Sequence, residues 1–105
     1  MEIKKGDLFY ISHYNQFDGD RPVVVVGSNE CIQENDFVTV AYISSSYKIQ
    51  SGRTNIKLRA SGRQSHAVIE RVTTIPKTRF KKYIGHVNKA EETAIDSALC
   101  VVFGL

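Results

Sequence analysis

The chain has 105 residues, and since domains usually contain roughly 100–150 residues we expect a single domain over residues 1–105. Hydrophobic residues make up 42% of the chain and the longest apolar run has six residues, 98–103, so the composition argues against both a disordered chain and a bilayer-spanning helix, which needs about 20 apolar residues. The formal net charge is +3, and residues 53–105 hold ten Lys and Arg against four Asp and Glu, a basic half that attracts polyanions such as nucleic acids.

Short apolar or alternating stretches, each bounded by turn residues, predict strands as far as about residue 87. The predicted strands are residues 7–12, 22–27, 37–43, 54–59, 67–75 and 83–87. The run of four valines at 23–26 is typical of a strand buried on both faces. Residues 54–59 alternate polar and apolar, which places Ile56 and Leu58 inward. Residues 78–82 predict one short helical turn.

The C-terminal segment predicts the one clear helix. Asn88 is a good N-cap, and Glu91 three residues later completes a capping-box arrangement. The apolar residues that share one face of this helix are Ile95, Ala98, Leu99 and Val102. Gly104 suits the left-handed position that ends a helix. About six strands and a terminal helix predict a small, strongly curved antiparallel sheet or barrel.

The cysteines and histidines show no metal-ligand spacing. Cys31 and Cys100 lie 69 positions apart with no second cysteine near either, and we interpret them as buried or idle thiols. His13, His66 and His86 are equally scattered. We therefore expect neither a metal site nor a cofactor. His66 is expected to be exposed and His86 to be a hydrogen-bonded structural residue, while His13 could act as a base only if its loop brings it close to Arg21.

Five segments, in this order, resemble the MazF/PemK family of toxin ribonucleases, which are small SH3-like barrels found in toxin–antitoxin pairs. The segments are residues 5–10 (KGDLFY), 19–26 (GDRPVVVV), 40–44 (VAYIS), 68–77 (VIERVTTIPK) and 84–87 (IGHV). The resemblance covers nearly the whole chain. It implies a mainly β fold, a small SH3-like antiparallel barrel of the CcdB/PemK type with a C-terminal α-helix.

The resemblance also implies a catalytic pair, Arg21 and Ser44. In that family an Arg before the Pro-Val run and a Thr or Ser at the end of the following strand lie together at the RNA cleavage site. An always-charged, forked guanidinium suits the oxygens of a pentacoordinate phosphorus, and Ser44 can donate to a phosphate oxygen or orient the 2′-hydroxyl. Outside this context, Arg21 is interpreted equally simply as a surface charge and residues 44–46 as a polar turn. Neither residue is an obvious general base.

Further residues around this pair are candidates for RNA binding. They are Tyr14, Phe17, Asp18, Ser45, Ser46, Tyr47, Lys48, Glu70, Thr74 and Lys77. The loop aromatics among them offer stacking platforms for splayed bases. Glu70 either accepts hydrogen bonds from a base edge or pairs with Arg71. Thr73 and Thr74 alternate faces, so at most one of them points to the RNA. The aromatic residues expected in the core are Phe37, Phe80 and Phe103.

The chain departs from the family pattern in three places. The loop at residues 12–20 is shorter and lacks the usual Gly-Ser-Glu segment. Thr73 stands where the family commonly has Arg, which removes a cation from the RNA-facing strand. Ser44 replaces the commoner Thr, a tolerable change because both present the same donor.

The resemblance implies a sequence-specific, metal-independent endoribonuclease that cuts single-stranded RNA and leaves a 2′,3′-cyclic phosphate and a 5′-hydroxyl. It further implies a cytoplasmic homodimer that a cognate antitoxin silences. Two alternatives stay open. One is a non-catalytic binding module, since the same barrel serves as a gyrase poison in the related CcdB group, and the other is a degenerate family member that binds RNA but cuts slowly.

Overall fold

The computed structural model describes residues 1–12, 19–44, 54–59 and 65–105. Six strands lie in these residues: β1 (Asp7–Ile11), β2 (Arg21–Val25), β3 (Phe37–Ser44), β4 (Asn55–Leu58), β5 (Ser65–Pro76) and β6 (Phe80–His86). They are accompanied by the helices α1 (Asn29–Glu34) and α2 (Lys89–Phe103) and by a 3-10 turn at Lys77–Arg79. The prediction of six strands and a C-terminal helix is confirmed.

All six strands belong to one antiparallel sheet with the order β4-β5-β3-β2-β1-β6. The first strand of the chain therefore pairs with the last, and β4 and β6 form the two edges. No hydrogen-bonded ladder joins these edges within the described ranges, so the sheet curves without closing.

The apolar core lies on both faces of the sheet. Alternate residues of β2 enter different clusters, Val23 and Val25 on one face and Val24 and Val26 on the other, because successive strand residues point to opposite sides. The second face is covered by α2, which contributes Ile95 and Ala98. The predicted double burial of the valine run is confirmed.

Helix α2 forms as its sequence predicts. The side chain of Asn88 accepts the N–H of Glu91 while Glu91 accepts the N–H of Asn88, which is a complete capping box. Gly104 ends the helix at φ 70°, in the left-handed region. The predicted apolar face packs on the sheet, with Ile95 and Ala98 buried. None of the described helices is long and apolar enough to cross a membrane.

Three features differ from the predictions. The short helical turn predicted at residues 78–82 is a 3-10 turn at Lys77–Arg79, and residues 80–82 already belong to β6. Helix α1 was not predicted, although Ser28 caps it by accepting the N–H of Cys31 at 3.2 Å. Phe80 is buried, but Phe37 and Phe103 are 55% and 58% exposed, so their assignment to the core was wrong. Phe37 begins β3 and Phe103 ends α2, and side chains at these ends project past the faces that pack.

His86 ties β6 to the N-terminal segment. Its Nδ1 lies 2.8 Å from Oδ1 of Asp7, a carboxylate that is 6% exposed, and Oδ2 of Asp7 accepts the N–H of Lys4 at 2.8 Å. The prediction of a hydrogen-bonded structural histidine is confirmed.

Candidate active site

Arg21 and Ser44 lie at neighbouring strand ends. Arg21 is the exposed first residue of β2, and Ser44 is the half-buried last residue of β3. The antiparallel ladder between these strands includes Val23 opposite Tyr42. Continued by two residues, the same register places Arg21 opposite Ser44, and directly opposite residues share a face of the sheet. Arg21 and Ser44 therefore lie at the same end of two paired strands.

A pocket of about 280 Å³ opens on the same face. It is lined by Arg21, Tyr42, Arg71, Val72 and Thr73. Both arginines are exposed, and neither guanidinium has a hydrogen bond or ion pair to any residue that the structure describes. Two such groups at one opening form a cationic site, and the planar fork of Arg matches the geometry of phosphate oxygens.

Arg71 was missed as a site residue because its sequence neighbour Glu70 had been considered its partner. The structure gives Glu70 a different partner, since Oγ1 of Thr54 donates to Oε1 of Glu70 at 2.5 Å. Thr54 is 5% exposed, and its carbonyl also accepts the N–H of Ile69 at 2.9 Å. This part of β5 is thus held against the segment that leads into β4.

Arg71 lies beside an irregularity in β5. The β3–β5 ladder pairs Ala41 with Val72 and then Ile43 with Ala67, so two steps along β3 match five along β5. Arg71 itself follows the strand alternation, since it lies two residues from Thr73 and lines the same pocket. The irregularity therefore concerns the residues just before Arg71, and the period-2 pattern of the sequence carries no signal for it.

His66 was also missed. It pairs with Ser44 on one side and with Lys57 on the other, because β5 is an interior strand at this point. It is half-buried rather than exposed as predicted, and within the described part of the chain its buried Nδ1 has no hydrogen-bond partner. A third polar side chain thus lies in the row that contains Arg21 and Ser44.

The other described candidates lie elsewhere. Thr74 is exposed and lines a separate depression with Phe37 and Cys31, so of the two threonines it is Thr73 that faces the pocket of Arg21. Lys77 lies at the other end of β3 from Ser44, where its N–H donates to the carbonyl of Asp36 at 2.9 Å. The remaining candidates fall outside the described residues and are Tyr14, Phe17, Asp18, Ser45, Ser46, Tyr47 and Lys48, as is His13.

Solved structures share this fold along nearly the whole chain. An endoribonuclease in complex with its cognate antitoxin, from a mycobacterial species, superimposes with a TM-score of 0.86 at 17% identity, covering 99% of this chain and 97% of that one. The Mycobacterium tuberculosis toxin MazF-mt6 gives a TM-score of 0.78 at 22% identity over 94% of this chain and 97% of the other. A MazE–MazF structure from Deinococcus radiodurans gives 0.82 at 14% identity, with 100% and 98% covered. The architecture is therefore that of the MazF-like toxins.

The sequence itself carries the family pattern. The model of the PemK-like, MazF-like toxins of type II toxin–antitoxin systems matches residues 4–103. The chain belongs to this family. A comparison with curated protein sequences finds no match.

Proposed function

We propose that this toxin is a sequence-specific endoribonuclease that cuts single-stranded RNA without a metal ion, as one domain over residues 1–105. Two observations support the proposal: Arg21 begins β2 and Ser44 ends its antiparallel partner β3, and Arg21 lines a pocket with a second arginine that also pairs with no described residue. Endoribonucleases among the similar folds support it.

The nucleophile comes from the substrate, and the site supplies positive charge. The ribose 2′-hydroxyl attacks the neighbouring phosphorus and loses its proton to water, the bond to the 5′-oxygen breaks, and that oxygen takes a proton from water, so the products are a 2′,3′-cyclic phosphate and a 5′-hydroxyl. Arg21 stabilises the negative charge that grows on the phosphate oxygens, which is usually the largest catalytic contribution. Ser44 donates to a phosphate oxygen or orients the 2′-hydroxyl. Because the nucleophile is part of the substrate and Arg21 supplies the positive charge, no metal ion is required.

Sequence specificity would come from the segments that adjoin the pair. Tyr14, Phe17 and Asp18 shortly precede Arg21, and residues 45–48 directly follow Ser44, so both segments are joined to the site in the chain. We propose that these residues, with Glu70, contact the RNA. Lys77 lies farther away and would bind a more distant part of the strand, whereas Thr74 lines a separate depression and is left out of the proposed RNA contacts.

The partners follow from surface chemistry. We propose that the toxin forms a homodimer. Exposed apolar side chains on β6 and at the end of α2 support self-association, namely Tyr83, Val101, Phe103 and Leu105. A cognate antitoxin with an acidic segment would inhibit the enzyme by covering the basic half of the toxin. A similar fold solved with its antitoxin supports this partner. The proposed location is the cytoplasm.

One experiment tests the activity. Purified protein and its Arg21→Ala variant are incubated with a long unstructured RNA in EDTA, and every new 5′ end is mapped. We expect cuts at one short recurring sequence with 5′-hydroxyl ends, and at least about a hundredfold less cutting by the variant, as for the loss of one preorganised charge donor. Arg21 is exposed, so thermal unfolding of the variant should match the wild type. Absence of cutting by the wild type would favour a gyrase poison or a non-cutting RNA binder.

A further inference from the structure

We propose that Arg71 is a phosphate-binding residue that holds the phosphodiester adjacent to the scissile one, an inference that rests on the proposed ribonuclease function. The catalytic pair accounts for Arg21 and Ser44 but leaves the second guanidinium of the pocket without a role. Arg71 and Arg21 line the same opening, and no described residue pairs with either. Such groups bind phosphate bidentately and read no base, so the contact positions RNA of any sequence.

The placement of Arg71 is fixed by the fold. It directly follows Glu70, whose carboxylate is held by the buried hydroxyl of Thr54, and the carbonyl of Thr54 holds Ile69. The bulged segment is thus anchored at two consecutive residues just before Arg71. An anchored backbone limits the positions that the guanidinium samples, which reduces the entropy lost when it binds.

The separation of the two arginines leaves room for two neighbouring phosphates. Arg21 starts from β2 and Arg71 from β5, with β3 between them. Adjacent strands are spaced by about 4.8 Å, so the two backbones lie about 10 Å apart across Tyr42. Arg21, opposite Ser44, serves the scissile phosphate, and Arg71 approaches the strand from the other side of the pocket.

The two arginines should differ in their kinetic effects. A flanking phosphate carries the same charge in the ground state and in the transition state, so Arg71 contributes equally to both. Loss of such uniform binding raises KM and leaves kcat unchanged, whereas loss of Arg21 lowers kcat. This difference separates a positioning role from a role in the chemistry.

The experiment compares wild type, Arg71→Ala, Arg71→Lys and Lys89→Ala on a short RNA that contains one mapped cut site. Lys89 is an exposed cation at the start of α2, which packs on the other face, and serves as the control for a general loss of charge. We expect Arg71→Ala to raise KM about tenfold or more while kcat stays within about threefold of the wild-type value. The KM of Arg71→Lys should lie between those of wild type and Arg71→Ala. Lys89→Ala should match wild type in both constants.

Binding is measured on the same RNA with a 2′-deoxy sugar at the cut site, which prevents cleavage. In a salt titration, Arg71→Ala should reduce the slope of log Kd against log salt by about 0.7, the effect of one lost phosphate contact on a single strand. A neutral methylphosphonate is then placed at each phosphate beside the cut. At one of these phosphates, the methylphosphonate should weaken RNA binding by the wild type about tenfold. The same methylphosphonate should not weaken binding by Arg71→Ala, because this variant already lacks the contact between Arg71 and that phosphate.

A rescue variant checks the geometry. Thr73 lines the same pocket as Arg71, so Thr73→Arg in the Arg71→Ala background returns a guanidinium to the opening and should recover most of the lost affinity. The proposal is overturned if Arg71→Ala keeps the wild-type KM and salt slope, or if its kcat falls while KM stays unchanged. If the wild type cuts no RNA, the proposed ribonuclease fails by itself, and the salt titration is then run on an unmodified single-stranded RNA, where an unchanged slope for Arg71→Ala would overturn the phosphate contact.

Discussion

The carboxylate of Glu91 accepts the backbone N–H of Arg59 at 2.8 Å and so joins the first turn of α2 to the residue that follows β4. Its other oxygen accepts the N–H of Asn88 at 2.9 Å. A single side chain, only 8% exposed, therefore caps the helix and holds an edge strand in place.

Glu91→Ala should consequently lower the free energy of unfolding by about 1–2 kcal/mol, because two part-buried backbone N–H groups lose their acceptor. Glu92→Ala is the matched control, since both changes remove one acidic group from the first turn and only Glu91 makes these hydrogen bonds. Urea unfolding of the three proteins measures the difference. Equal stability of the two variants would contradict a special role for Glu91.

The link between Asp7 and His86 should also be measurable. Asp7→Ala removes the acceptor for His86 and for the N–H of Lys4, and we expect a loss of about 2 kcal/mol. His86→Ala should lose less, because its side chain is 43% exposed. In a double-mutant cycle the two losses should not add, since both variants break the same contact. Additive losses would show that the contact contributes nothing.

Gly6 cannot be replaced without strain. It has φ +90°, and a Cβ built there would lie 2.8 Å from Cε1 of His86. We expect Gly6→Ala to lower the free energy of unfolding by at least about 2 kcal/mol, from the left-handed backbone and the clash together. Gly19 has φ +72° with nothing within 4 Å, so Gly19→Ala should show the backbone effect alone, about 1 kcal/mol. Thermal unfolding measures the loss of stability in the two variants. A smaller loss for Gly6→Ala than for Gly19→Ala would contradict the expected clash with His86.

Substitutions of Ser44 test the proposed hydroxyl donor. Ser44→Thr keeps the hydroxyl and should keep cleavage within about threefold, whereas Ser44→Ala should lower kcat about tenfold to a hundredfold, as for the loss of one preorganised donor. Single-turnover cleavage of the mapped RNA separates the chemical step from release. Full activity of Ser44→Ala would remove this residue from the mechanism.

Local signals made most of the fold predictable. The capping box at Asn88, the glycine stop at Gly104 and the apolar runs of the strands each depend on neighbours in sequence. Helix α1 has six residues with only Ile32 buried, too few for a periodic pattern, although the Ser28 cap was present in the sequence. Phe37 shows that an aromatic residue in a strand can still be exposed when it stands at the strand's end.

The site was predictable only in part. Arg21 and Ser44 came from the resemblance, and their juxtaposition agrees with the sheet register. Arg71 and His66 required the tertiary structure, because a shared pocket and cross-strand neighbours depend on which strands pair. Strand periodicity assigns a residue to a face but does not identify its neighbours on the next strand.

The order in which the ribosome makes these strands has its own consequence. β1 emerges first, but one of its two partners, β6, is synthesised last among the strands. The pocket draws on β2, β3 and β5, so a growing chain lacks it until Thr73 has been made and the distant strands have met. Because pairing between strands far apart in sequence is slow, a nascent toxin stays incomplete through most of its own translation.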